Sequence, residues 1–347
     1  MRKPLLLWVV FLLFLSPRVF SGFWVVCNIP GSDAHYTSIQ SAIEQAMPHD
    51  TIYVKGSPLN YGNVLLEKPL TLIAEGYLEG DRGLHTAKLT RVLFTSNPYR
   101  RTISSGSSIK GFEFPFFPGQ RPNIVTVANS RVKIEDITIE RNWMWFVEVV
   151  GSAHNWVFKN NIIRGWVNGG ASDSRAGASD FFFYNNILNT LKGFGNGRLH
   201  VENNVIMGRI RDVSNAWVGS NIFTRNDYII DNVSGSQFFY NVVMGNMVGA
   251  KECYEHSDRF ETRNQCSGKA NTGSQNRIAA DAGFRYWPTN DIMGGSVFRL
   301  SEGSVARRAG PNGQQAGIFG GPYPFPERAF LNPEIDDPFP AFVTSIY

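Results

Sequence analysis

Six cations recur just past a short repeated phrase in this 347-residue chain. Arg141 follows ITIE, Arg164 follows NNII and Lys192 follows NNILNTL. Arg209 and Arg211 follow NNVIMG, and Arg225 follows SNIFT. Trp143, Trp145 and Trp166 stand beside the earlier members, and Asp212 and Asp227 beside the later ones. A guanidinium pairs bidentately with a carboxylate, and an indole offers a broad apolar face on which a sugar ring can pack. Gathered on one side of a molecule, these residue types suit an acidic polysaccharide. The plainer alternative is a solvated face, because Arg and Lys at outer strand positions also discourage edge pairing.

Catalysis would ask more of the same residues. Elimination from a uronate needs a cation on the carboxylate and a base near the α-proton, roles open to Arg and Lys when their surroundings lower the base's pKa. Lys192, Arg209 and Arg211 fall on neighbouring repeats and, with Asp212, form the candidate catalytic set. Arg141, Trp143, Trp145, Arg164, Trp166 and Arg225 are the candidate substrate-binding residues. A glycoside hydrolase would instead need two carboxylates at a defined separation, such as Asp212 with Asp180 or Asp227. Histidines such as His85, His154 and His200 are dispersed and read as structural. No metal site is expected; calcium takes six or more oxygens, and Asp173 with Asp180 in one loop is too few to support it as a cofactor.

The repeated phrase indicates what positions these side chains. FKNNII (Phe158–Ile163) returns as FYNNIL, VENNVI and VGSNIF, and more loosely as FFYNVVM (Phe238–Met244). Aligning the second asparagine gives Asn161, Asn186, Asn204 and Asn221, with Val242 in the equivalent place of the fifth copy and Ile137 upstream. A period near 20 residues, with variable excess, signals a solenoid whose rungs carry unequal loops. Stacked rungs lie about 4.8 Å apart, close enough for each turn asparagine to bond the next as a ladder. Asparagine also tolerates the left-handed backbone of a tight corner. Near the start, YTSIQSAIEQA has apolar residues at helical spacing, with Thr37 or Ser38 as N-cap, which predicts a capping helix over about 37–47.

With these features in place, the chain resembles the right-handed parallel β-helix superfamily that includes pectate lyases, pectin esterases and polygalacturonases. YTSIQSAIEQAMPHDTIYVKGSPLNYGNVLLEKPLTLIAEG is similar to that superfamily's entry segment, with His49 where its turn carries glycine. FRLSEGSVARRAGPNGQQAGIFGGPYPF is similar to the closing region of secreted members from Bacteroidetes-type bacteria. The resemblance implies an all-β, right-handed parallel β-helix solenoid with a short N-terminal capping helix. It carries over no catalytic residues: the Asn-Thr-Asp, Asp-Asp and Gly-His-Gly strings of polygalacturonases are absent, and DFFFYN at Asp180 is a poor match to the esterase motif.

The remaining bulk features set compartment and boundaries. Arg2 and Lys3 precede eleven apolar residues, Leu5 to Leu15, and Ser21 and Gly22 follow. That is the layout of a secretory signal peptide over residues 1–21, too short to span a bilayer. Its removal takes three cations, lowering the net charge from +4 to +1, so no nucleic acid or membrane partner is expected. Residues 22–347 read as one β-helix domain, exported and monomeric, with rungs over about 124–250 and a closing segment over about 278–347. In an oxidising compartment, Cys253 and Cys266 are expected to pair and pin an inserted loop, about 251–275, leaving Cys27 over. A non-catalytic surface, adhesion or carbohydrate-binding protein is the alternative to a lyase or hydrolase.

Overall fold

The computed structural model describes residues 21–74, 85–99, 102–116, 119, 122–126, 132–149, 151–170, 177–195, 197–224, 229–244, 259–260, 271–279, 283–284 and 298–325. Two long stacks of parallel strands dominate it. A thirteen-stranded sheet begins at Phe23–Val26 and runs through Thr51–Val54 and Thr71–Ala74 to Ala216–Gly219, Gln237–Phe239 and Asn271–Ser274. A twelve-stranded sheet runs from Asn63–Leu66 through Trp143–Glu148, Ile162–Asn168 and Ile187–Phe194 to Arg277–Ala279. The chain alternates between the two, each rung in register with the last, as in Phe181↔Leu199↔Ala216 and Ile187↔Val205↔Ile222. This is a parallel β-helix, as the repeat requires. One short helix, Ile39–Gln45, packs Ile39, Ala42 and Ile43 inward, and Ser38 caps it by accepting from the Ser41 amide.

The asparagines form a ladder at the corner between the sheets. Asn161 Nδ2 donates to the Ile139 carbonyl at 2.8 Å and to Asn186 Oδ1 at 2.9 Å, and the Asn161 amide donates to the same oxygen at 2.8 Å. Asn186 repeats the pattern with Asn204, and Asn204 with Asn221. All four are buried, yet each amide has its partners, which removes the cost of an unpaired buried polar group.

The ladder register corrects the sequence alignment at both ends. Its fifth member is Asn241, not Val242, and Asn276 follows. Its upstream member is Asn142, not Ile137. The steps are therefore 19, 25, 18, 17, 20 and 35 residues. The residue before each ladder asparagine takes the left-handed conformation: Arg141, Asn160, Asn185, Asn203, Ser220, Tyr240 and Gln275 all have φ between 53° and 58°. The NN doublet thus joins two jobs, a left-handed corner and a hydrogen-bonded stack. Only the second demands asparagine on every rung, so the first position drifts and misleads an alignment by eye. His49, where the resembling segment has glycine, likewise adopts φ 72°.

The two apolar residues after each ladder asparagine face opposite ways. Ile163, Leu188, Ile206 and Phe223 join the interior, where Trp156, Phe158, Phe181 and Phe183 also stack. Ile162, Ile187, Val205, Ile222 and Val242 face outward and are covered by the segment containing Phe298, Leu300, Ala306, Ala316, Ile318 and Phe325. The covering segment is clasped by backbone and amide contacts. Asn185 Nδ2 donates to the carbonyls of Ile318 and Gly320 at 2.9 and 2.6 Å. Gly317 (φ +81°) sits so close that a Cβ would fall 2.6 Å from Ile222.

Candidate functional site

The best-formed cluster of the expected side chains lies on the outer face of the twelve-stranded sheet. Trp145, Phe146 and Trp166 are half-buried there, beside Arg164, Lys192, Arg209 and Arg211. Pairing places Phe146 against Trp166, and it sets Glu148, Asn168, Lys192, Arg211 and Asp231 in one row across five strands. Phe116, 47% exposed, packs on Trp145 with ring centroids 4.6 Å apart, and Phe146 and Trp166 are 5.2 Å apart. The aromatic rings therefore gather at one end of the strip, with Glu148 and Arg164 beside them, and Lys192, Arg211 and Asp231 continue the row.

A bulge creates the junction. Ile163 pairs with Leu188 but Trp166 with Thr190, so Arg164 and Gly165 together oppose single residues on both neighbouring strands. The extra residue turns Arg164 onto the Trp145 ring, its guanidinium 5.0 Å from the centroid. Asn189 Nδ2 donates to the Arg164 carbonyl at 2.9 Å, satisfying a group the bulge would otherwise strand. Position 165 must be glycine for steric reasons: a Cβ would collide with the Phe146 ring and the Trp145 carbonyl oxygen. Buried Asn123 accepts from the amides of Trp145 and Phe146 at 2.9 and 3.0 Å and so fixes the same two rings.

The cations divide into two kinds. Lys192 Nζ lies 4.3 Å from the Trp166 centroid, as Arg164 lies over Trp145, and among the described residues neither pairs with a carboxylate. Arg209 lies 3.7 Å from Asp231, and Arg211 Nε donates to Asp212 at 3.2 Å. Both pairs are solvated and contribute little to stability. Asp212 sits at a left-handed corner (φ 52°) and also accepts from Asn232 Nδ2 at 2.8 Å. Lys192 and Arg211 are direct partners on adjacent strands, so these two of the candidate catalytic residues do come together, with Arg209 immediately before the strand that begins at Ile210.

Other expected members lie elsewhere. Arg141 occupies the left-handed corner position and faces Glu140, 3.8 Å away, where Lys110 and Lys159 also converge at 3.7 and 3.5 Å. Trp143 is in register with Ile162 in the outward row and packs against the apolar cluster that this row forms with the C-terminal segment. Asp180, one half of the suggested hydrolase pair, is held by Arg198 at 2.7 Å and His154 at 3.1 Å. Arg225, Asp227, Cys253 and Cys266 lie outside the described residues, so neither the disulfide nor the last rung's cation is placed; Cys27 is buried as a free thiol. Among the described residues, no three His, Cys, Asp or Glu side chains come together to hold a metal ion.

Phe116, Phe146 and Asn123 join the strip without being signalled by the repeat. Phe146 is hidden for a physical reason: strict alternation along WMWF would send it to the face opposite Trp145, and only the register shift between Met144 and Phe146 brings both rings to the strip. Phe116 and Asn123 act from outside the repeat and leave no periodic signal. Comparison with family models, with curated proteins and with solved structures finds no match to this chain. No helix among the described residues is long and apolar enough to cross a membrane.

Proposed function

We propose that this chain is an exported member of the pectin-lyase-like β-helix superfamily, and that the outer strip of its twelve-stranded sheet binds an acidic polysaccharide. The observation that carries the reading is the placement of Arg164 and Lys192. Each lies on an indole face and, among the described residues, lacks a carboxylate partner. A sugar ring can pack beside the indole while its uronate carboxylate takes the cation. From Arg164 to Asn168, the strand partner of Lys192, the bulge absorbs one residue and leaves about three strand steps, or roughly 10 Å. The strip therefore reaches beyond a single sugar unit.

Cleavage is a second reading, favoured by the register that sets Lys192 beside Arg211. In a β-elimination one cation would hold the carboxylate and the other group, as a free base, would take the α-proton. The bond to the leaving sugar oxygen would break as the new C=C bond forms, and that oxygen would take a proton from water or from the group that removed the α-proton.

Affinity electrophoresis through gels containing polygalacturonate, alginate or hyaluronate tests binding. Retardation by at least one of these is expected, with affinity falling about tenfold or more in an Arg164→Glu/Lys192→Glu variant. Absence of retardation by every acidic glycan would overturn the reading. Growth of the absorbance of an unsaturated uronate separates cleavage from binding alone.

A further inference from the structure

The outer face of the thirteen-stranded sheet carries a different cluster, independent of the strip. Over three consecutive rungs its outward positions are Phe182 and Tyr184, then His200 and Glu202, then Trp217 and Gly219, each in register with the next. The preceding rung offers Val157 and Lys159 at these positions, and the following one Gln237 and Phe239. His200 and Trp217 stack with centroids 4.3 Å apart and planes 17° apart. Phe182 continues the stack more loosely, 6.1 Å from His200. At its other end the next residue in the row is Gln237, so among the described residues no ring covers the far face of the indole. Gly219 gives that indole room, since a Cβ there would run into it.

Polar groups surround the rings in a particular combination. Glu202 Oε2 bonds His200 Nε2 at 3.0 Å, while the carboxylate stays 23% exposed with a second oxygen to offer. Tyr184 lies 5.4 Å from His200 and 5.4 Å from Tyr323, which the C-terminal segment brings over from the neighbouring face. Burial first, then the charge of Glu202 and the neighbouring Tyr323, push the Tyr184 phenol above its ordinary 10.0, keeping it a neutral hydroxyl donor. An acceptor and a donor beside an indole face match a polyhydroxylated ring. The carboxylate here is Glu202, bonded to the ring that stacks on the indole, while Lys159 stands 5.1 Å over the more distant Tyr323 ring and shares Glu140 with Lys110 and Arg141. A uronate would be repelled by Glu202, whereas an uncharged sugar would not.

We propose that Trp217, His200, Glu202, Tyr184 and Tyr323 form a second carbohydrate subsite, one that takes neutral sugar units. Taken with the strip, the chain would have two glycan-binding faces, one for acidic and one for neutral polymers. The subsite itself does not depend on the strip being a binding site. The test is affinity electrophoresis of the full chain in a β-glucan, a galactan, a mannan and an arabinan. Wild type is expected to be retarded by at least one, and Trp217→Ala to weaken that retardation about tenfold. Arg164→Glu/Lys192→Glu should leave it unchanged. Tyr323 is 43% exposed, so Tyr323→Ala reads the same subsite should Trp217→Ala fail to fold. Failure of all four neutral glycans to retard wild type, or retardation equal to wild type in the folded variants, would overturn the subsite.

Discussion

Asn186 shows most sharply what a single residue does here. Its Oδ1 receives both the Asn161 amide and the Asn161 side chain, and its own Nδ2 reaches the Phe158 carbonyl at 2.9 Å. Replacing it with leucine would keep much of the volume but strand a buried N–H, a buried carbonyl and a neighbour's amide. Unsatisfied buried groups cost about 1–3 kcal/mol each, so Asn186→Leu is expected to lower stability by about 3 kcal/mol or more, measured by urea denaturation. A loss under about 0.5 kcal/mol would show that the ladder contributes little. The same logic makes the ladder legible in the sequence. An amide flanked by apolar residues in fixed register is buried on every rung, and a buried amide must find its partners on the rungs beside it. Arg141 is less legible, because at a left-handed corner an arginine does the job of an asparagine, and its type points to a groove that its backbone turns away from.

At the scale of the element, the bulge at Arg164–Gly165 decides how the strip is built. It sets the cation over Trp145, and it requires that position 165 carry no side chain. Gly165→Val is expected to displace the Phe146 ring or the strand itself. The expected cost is about 1–3 kcal/mol, as for other overpacked sites, together with loss of retardation by the acidic glycan that binds wild type. Unchanged thermal unfolding and unchanged binding would show that the junction is not tight. Sequence periodicity locates the strands but not the bulge, because one extra residue between two in-register pairs looks like ordinary variation in repeat length. The repeated phrase FYNNIL also carries Phe183 and Tyr184 side by side. Phe183 is fully buried, and strand alternation necessarily turns Tyr184 outward, where it meets His200 and Tyr323. Trp143 reads as a groove residue for a related reason: it packs against an apolar cluster completed by a segment more than 150 positions away, and no local pattern announces that.

For the whole molecule, the parallel β-helix makes long one-dimensional surfaces, since every rung offers the same outward positions about 4.8 Å further along. The two sheets use these rows differently. The twelve-stranded sheet shows rings, then Lys192 and the arginines, whereas the thirteen-stranded sheet shows a ring stack beside a carboxylate. The C-terminal segment seals the apolar row that lies between the ladder corner and the strip, so the outward isoleucines become structural and the strip stands clear of them. A net charge of only +4 over the full sequence cannot direct polyanion binding by itself; the local arrangement must. The most direct test uses one acidic polysaccharide in two forms, native and with its carboxylates chemically reduced to alcohols, titrated calorimetrically into the wild-type protein. Binding through Arg164 and Lys192 predicts at least about tenfold weaker affinity for the reduced form. Equal affinity for the two forms would contradict an acidic-glycan strip on the twelve-stranded sheet.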